Sequence, residues 1–174
     1  MEPERRRVVR MGEYLVSAGG DQRLITYSLG SCIGLTLYDP TTGVGGLLHA
    51  QMPLSRTAPE RSSRRPATFV DTGVAALLAE LLGLGASRRH LVACVAGAAT
   101  LLDDDRLFDV GRRNHLVLRK MLWKNGILVA AEDVGGNCSR TLWLDTADGR
   151  TGLKRQGSVI DLHPGPSGAA AGTH

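Results

Sequence analysis

Residues 23–52 read RLITYSLGSCIGLTLYDPTTGVGGLLHAQM, and three strands separated by two turns account for the whole stretch. Residues 23–28 (RLITYS) have the β-branched and aromatic content of a short strand. Residues 33–38 (IGLTLY) are apolar enough for a buried strand. Asp39-Pro40-Thr41-Thr42-Gly43 is turn chemistry. Residues 44–52 (VGGLLHAQM) return as a further strand, whose glycines let a neighbouring backbone approach closely.

The pattern extends outward from this centre. Residues 13–18 (EYLVSA) precede Gly19-Gly20-Asp21, so 13–18 and 23–28 are expected to form a hairpin. Residues 53–67, rich in Pro, Ser and Arg, read as a long mobile loop. Val70, Val74, Leu77, Leu78, Leu81 and Leu82 then share one helical face, and Gly83 and Gly85 end that helix. Leu91 to Ala96 reads as a buried strand. Asp109 is placed to cap a second helix over 110–124, with Val117, Leu118, Met121 and Leu122 on its apolar stripe. Residues 127–132 form a strand, and 141–144 with 151–154 form a hairpin around Ala147-Asp148-Gly149. From Gly157 the chain turns to Gly, Ala, Pro and Ser, and a disordered tail over 157–174 is expected. The fold class is α+β, a single domain over 1–156. Mixed and antiparallel sheets pack with two amphipathic helices in a layered sandwich.

The 174 residues suit one domain, and 43% apolar content supports a core without metals or disulfides. No apolar run reaches the ~20 residues of a spanning helix. The charged N-terminal run MEPERRRVVRMGEYLV lacks an apolar h-region, so no secretory signal is expected. Cys32, Cys94 and Cys138 are odd in number and far apart, which suits a reducing cytoplasm rather than a disulfide framework. No C-x₂₋₄-C or H-x₃₋₅-H spacing exists, so neither a metal nor another cofactor is expected. The net charge of +4 is concentrated in arginine clusters, including Arg56, Arg61, Arg64 and Arg65. Scarce aromatics and the lack of a binding motif argue against a nucleic-acid partner. The loop arginines, set against Glu60 alone, are expected to help dock an acidic partner.

The chemistry-bearing residues lie in the opening stretch. A thiol becomes a useful nucleophile when a base and oxyanion donors surround it. Gly30 permits a tight turn that presents Cys32 at the end of strand 23–28, with the backbone N–H groups of Ser31 and Cys32 free to meet an oxyanion. His49 lies one strand–turn–strand away, and Thr26 stands where its hydroxyl can orient an imidazole. On chemistry alone, a buried core cysteine, a satisfied core histidine and an ordinary strand threonine remain the commoner readings.

The string TYSLGSCIGLTLYDP over 26–40, followed by GVGGLLHAQMP over 43–53, resembles the chemoreceptor glutamine deamidase family, CheD. The resemblance implies that Cys32 is the nucleophile, His49 its base and Thr26 the third member of a triad. It extends to Val110-Gly111-Arg112-Arg113-Asn114, to Asp133-Val134-Gly135-Gly136 with Arg140, and loosely to Asp71 and its helix. Two departures stand out. Ala96-Gly97-Ala98-Ala99 replaces an F-G-G-A-type stretch, and Phe69 stands where Tyr is frequent. The implied activity is hydrolysis of Gln side chains on the cytoplasmic domains of chemoreceptors to Glu, with receptor methyl-ester hydrolysis compatible with the same site. A different reading is a non-catalytic regulatory module for a CheC-like chemotaxis phosphatase. Either places the protein in the cytoplasm, not inserted in a membrane.

Overall fold

A computed structural model describes residues 5–100 and 109–166. Their strands are β1 (Arg6–Val8), β2 (Glu13–Ser17), β3 (Arg23–Leu29), β4 (Ile33–Tyr38), β5 (Gly45–Ala50), β6 (Val92–Gly97), β7 (Val129–Val134), β8 (Arg140–Asp145), β9 (Thr151–Arg155) and β10 (Ser158–His163). The helices are α1 (Pro59–Arg64), α2 (Val70–Gly83) and α3 (Val110–Lys124). None is long and apolar enough to cross a membrane.

The strands divide between two five-stranded sheets. The outer sheet runs β1-β3-β8-β9-β10 and the central sheet β2-β5-β4-β6-β7. Each has one parallel pair, β1 with β3 and β6 with β7, in an otherwise antiparallel ladder. Strand side chains alternate between faces, and this alternation builds two cores. Ile33, Leu35 and Leu37 of β4 pack with Val70, Val74, Leu77 and Leu81 of α2 and with Leu118 and Leu122 of α3. On the opposite face, Leu47 of β5 and Ala96 of β6 meet Leu24, Leu29, Leu142 and Leu153 of the outer sheet. The layers are therefore helices, central sheet and outer sheet, the expected α+β sandwich.

Three sequence expectations are corrected. Residues 13–17 and 23–29 do not form a hairpin: β2 pairs with β5 in the central sheet, and β3 pairs with β1 and β8 in the outer one. Gly19-Gly20-Asp21 is a crossing between sheets. Residues 53–67 are not a loop, because α1 lies there between helical turns at Ser55–Thr57 and Pro66–Thr68. Pro59 and Pro66 each stand at the start of a helical turn, where the missing N–H costs nothing. Asp71 anchors the segment by accepting from the Ser55 N–H at 3.0 Å and the Ser55 hydroxyl at 2.8 Å. The expected tail begins with a strand: β10 pairs antiparallel with β9, and its Ile160 and Leu162 pack against the inter-sheet core. Residues 167–174 of that expected tail lie outside the described residues. Helix 110–124 matches its expected bounds, and the Asp109 carboxylate accepts from the Arg112 N–H at 3.4 Å.

Candidate active site

The chain passes from the outer to the central sheet between β3 and β4, and Cys32 sits at that crossing. β3 is irregular between Thr26 and Leu29, where its register against β8 shifts. Ser28 adopts φ 59°, and the Gly30 N–H donates back to the Ser28 carbonyl at 3.0 Å. The left-handed residue of this turn is thus Ser28, whereas the sequence points to Gly30. A serine there carries backbone strain on the order of 1 kcal/mol. Cys32 emerges just before β4 and joins the inter-sheet core, 8% exposed.

His49 reaches the same space from β5. It pairs with Gly34, and Gly34 pairs in turn with Ala96. Small residues beside His49 let the outer sheet approach: a Cβ at Gly34 would stand 2.7 Å from Leu142 and 2.9 Å from Leu29. Cys32 and Gly34 alternate onto the same face, so Cys32 is the diagonal neighbour of His49 across the β4–β5 pair.

Thr26 comes from the opposite sheet. Its hydroxyl donates to the Val9 carbonyl at 2.7 Å and lies 2.7 Å from His49 Nδ1. One hydroxyl carries one proton. With that proton committed to Val9, Thr26 Oγ1 accepts from Nδ1–H, and the imidazole lone pair resides on Nε2. Among the described residues His49 Nε2 is buried with no hydrogen-bond partner. Burial lowers the His49 pKa to about 4 and raises that of the Cys32 thiol. Near neutral pH the pair is a thiol and a neutral imidazole.

The surroundings hold the Cys32 turn by its carbonyls. The Ala98 N–H donates to the Cys32 carbonyl at 2.8 Å and the Ala99 N–H to that of Gly30 at 2.9 Å. Among the described residues, the Ser31 and Cys32 N–H groups donate to no backbone carbonyl. Two further residues tie the site together. Fully buried Asn114 on α3 donates from Nδ2 to the Ser31 carbonyl at 2.9 Å and the Gln51 carbonyl at 3.0 Å. It links the Cys32 turn to the end of the His49 strand. Arg140 pairs with Asp133 at 2.7 Å and donates to the carbonyls of Gly97, Cys138 and Gly135. Buried arginine and fixed carbonyls make a staple between the sheets rather than a simple strand-ending turn.

Cys94 is buried beside Thr36 and Thr151, and burial raises its thiol pKa. Cys138 is partly exposed. Among the described residues no three of His, Cys, Asp or Glu converge as a metal site would need.

Comparison with known proteins places this geometry in context. The family described as CheD chemotactic sensory transduction matches residues 51–155. A protein of Solibacter usitatus, named as a probable chemoreceptor glutamine deamidase CheD, is 45% identical over 90% of this chain and 93% of its own length. One of Syntrophus aciditrophicus, named likewise, is 39% identical over 88% of this chain and 96% of its own. A third, from Pyrococcus horikoshii, is 41% identical over 88% and 95%.

Proposed function

The chain belongs to the CheD family, and we propose that it deamidates glutamine side chains of chemoreceptors through Cys32, His49 and Thr26. The observation that carries this reading is the buried imidazole whose Nδ1–H is held by Thr26 while Nε2 has no partner. A satisfied core histidine would use both nitrogens. Here one nitrogen is left with an open lone pair on the face that Cys32 shares.

The chemistry follows from those groups. As the Cys32 sulfur attacks the amide carbon of glutamine, His49 Nε2 takes the thiol proton, so no charged pair need exist beforehand. The carbonyl oxygen becomes an oxyanion, for which the Ser31 and Cys32 N–H groups are available donors. His49 returns the proton to the amide nitrogen, the C–N bond breaks, and ammonia leaves a thioester. Water, deprotonated by His49, attacks that thioester; the Cys32 thiol is restored and glutamate is released. The slim, extended glutamine side chain suits a sulfur as shielded as that of Cys32.

Incubation of the protein with a receptor cytoplasmic fragment, followed by mass spectrometry, tests the reading. Each Gln→Glu conversion adds about one mass unit; the wild type is expected to produce this gain, and Cys32→Ala and Cys32→Ser to lose it with the fold intact. Turnover by Cys32→Ala near the wild-type rate would overturn the assignment.

A further inference from the structure

The outward face of the outer sheet carries a groove of about 560 Å³ that the reaction above does not use. Among the residues that line it are Arg6, Arg23, Arg140, Lys154 and Arg155, with the Arg140 side chain turned inward to Asp133, and no acidic residue is among them. Arg23 is neutralised by Asp145, while Arg140 and Arg155 share Asp133. Among the described residues Arg6 and Lys154, both exposed, form no ion pair.

The groove lies on the opposite face of the outer sheet from Thr26, and two of its lining residues, Tyr27 and Arg140, are close to the reacting residues along the strands. Tyr27 follows Thr26 in the chain, and Arg140 is the ladder partner of Leu29, three residues before Cys32. We propose that this groove docks an acidic stretch of the receptor helix that carries the target glutamine. The proposal rests on the deamidase reading and adds the surface that brings the substrate to it.

Charge and geometry both favour this occupant. The Arg6 guanidinium lies 5.4 Å from the Tyr27 ring centre, and Lys154 stands on β9, two strands from Tyr27 on β3. At ~4.8 Å per strand the backbones of Tyr27, which carries the Arg6 guanidinium, and of Lys154 are about 10 Å apart. That spacing suits carboxylates about two helical turns apart on one face. A nucleic acid would need open aromatic faces to stack its bases. Those faces are taken: Tyr27 lies under Arg6, and Trp143 is covered by Arg23 at 5.2 Å on a ring seated over Gly152. The rings serve to hold guanidinium groups in place.

The test compares wild type with Arg6→Glu/Lys154→Glu and, as a milder pair, Arg6→Gln/Lys154→Gln. Deamidation of the receptor fragment is followed from low to moderate salt. On this proposal KM for the fragment rises roughly tenfold in the charge-reversed variant at low salt, less in the neutral one. Its kcat stays unchanged, and the gap closes as salt rises. A second readout is independent of catalysis. In a Trp123→Phe background Trp143 is the sole tryptophan, and its fluorescence is titrated with a glutamate-rich helical peptide and with single-stranded RNA. A saturable response to the peptide, lost on charge reversal, supports the groove. Unchanged KM in both variants, or a response to RNA alone, overturns it. So does salt dependence that disappears only when Arg56, Arg61, Arg64 and Arg65 are replaced by Gln. Were the deamidase reading itself wrong, the wild type would produce no mass gain while Trp143 still answered the peptide.

Discussion

Burial holds the His49 imidazole at a pKa of about 4 while Thr26 occupies its Nδ1–H, and this has consequences for both rate and stability. With His49 as the proposed base, already neutral at pH 6, kcat/KM is expected to show an acid limb near pH 4 and a flat profile through 6.5, where an ordinary histidine titrates. The unfolded chain takes up a proton near pH 6.5 and the folded chain only near 4. Stability is therefore full above 6.5 and falls as pH drops through that window, by roughly 3 kcal/mol at about 1.4 kcal/mol per unit. Urea melts at pH 7 and pH 4 should show His49→Gln losing that much less than wild type. His49→Ala is expected to slow deamidation roughly 100- to 10,000-fold. Thr26→Val, which removes the orienting oxygen and leaves the Val9 carbonyl unpaired, is expected to cost less in kcat; an equal loss would assign Thr26 a direct part in proton transfer. Because Cys138 is more accessible than Cys32, thiol labelling discriminates best in a Cys138→Ser background, with Cys32 then modified ahead of Cys94. These three side chains stood out in the sequence because their motif is contiguous and dense. The strain at Ser28 did not, since nothing in L-G-S-C tells which residue turns left-handed.

Segment 96–99, at the end of β6, shows how neighbouring elements hold the cysteine turn. Gly97 has φ +108°, and a Cβ there would lie 2.4 Å from the Cys32 carbonyl oxygen. Gly97→Ala should therefore displace the turn, lowering both melting temperature and activity, and kcat measured on the folded fraction separates the two effects. Ala98, the residue standing in place of a glycine, has φ 54°. Relief of left-handed strain, about 1–2 kcal/mol, outweighs the added chain entropy of glycine, about 0.4–1 kcal/mol. Ala98→Gly is thus expected to raise the melting temperature by about 1–4 °C and leave deamidation unchanged. Element positions were largely readable from alternation and helical periodicity; partnerships were not. The Gly19-Gly20-Asp21 turn announces a reversal but not whether the next strand returns to the same sheet. In the Pro-Ser-Arg stretch after Met52, anchoring by Asp71, 16 residues beyond Ser55, is a tertiary effect that local composition cannot express. Asn114, one turn before Val117 and Leu118 on the buried stripe, reads as a helix-face amide bonded to a neighbouring strand, but that its partners are the Ser31 and Gln51 carbonyls is a tertiary fact.

Across the whole molecule, the outer sheet joins the first strands of the chain to the last, since β1 and β3 complete their ladder with β8, β9 and β10. Composition averaged over 157–174 concealed the alternation of Val159, Ile160, Asp161 and Leu162. Truncation after Gln156 would strip β10 from β9 and uncover the core beneath Ile160 and Leu162. At about 1.5–3 kcal/mol per fully buried aliphatic side chain, this partly buried pair should lower the melting temperature by several degrees. The measurement is a thermal melt of the truncated chain beside the full one; an unchanged midpoint would return residues 158–163 to the status of a dispensable tail. The same closure bears on biosynthesis. Thr26 leaves the ribosome early, but β8, the strand that locks β3 into its sheet, emerges more than a hundred residues later. At roughly 5–20 residues per second that is a wait on the order of ten seconds. Throughout it Cys32 and His49 can pair within the central sheet while the hydroxyl that orients the imidazole has no frame to hold it. If the proposed triad is the catalytic one, a nascent chain is therefore a poor hydrolase until it is nearly complete.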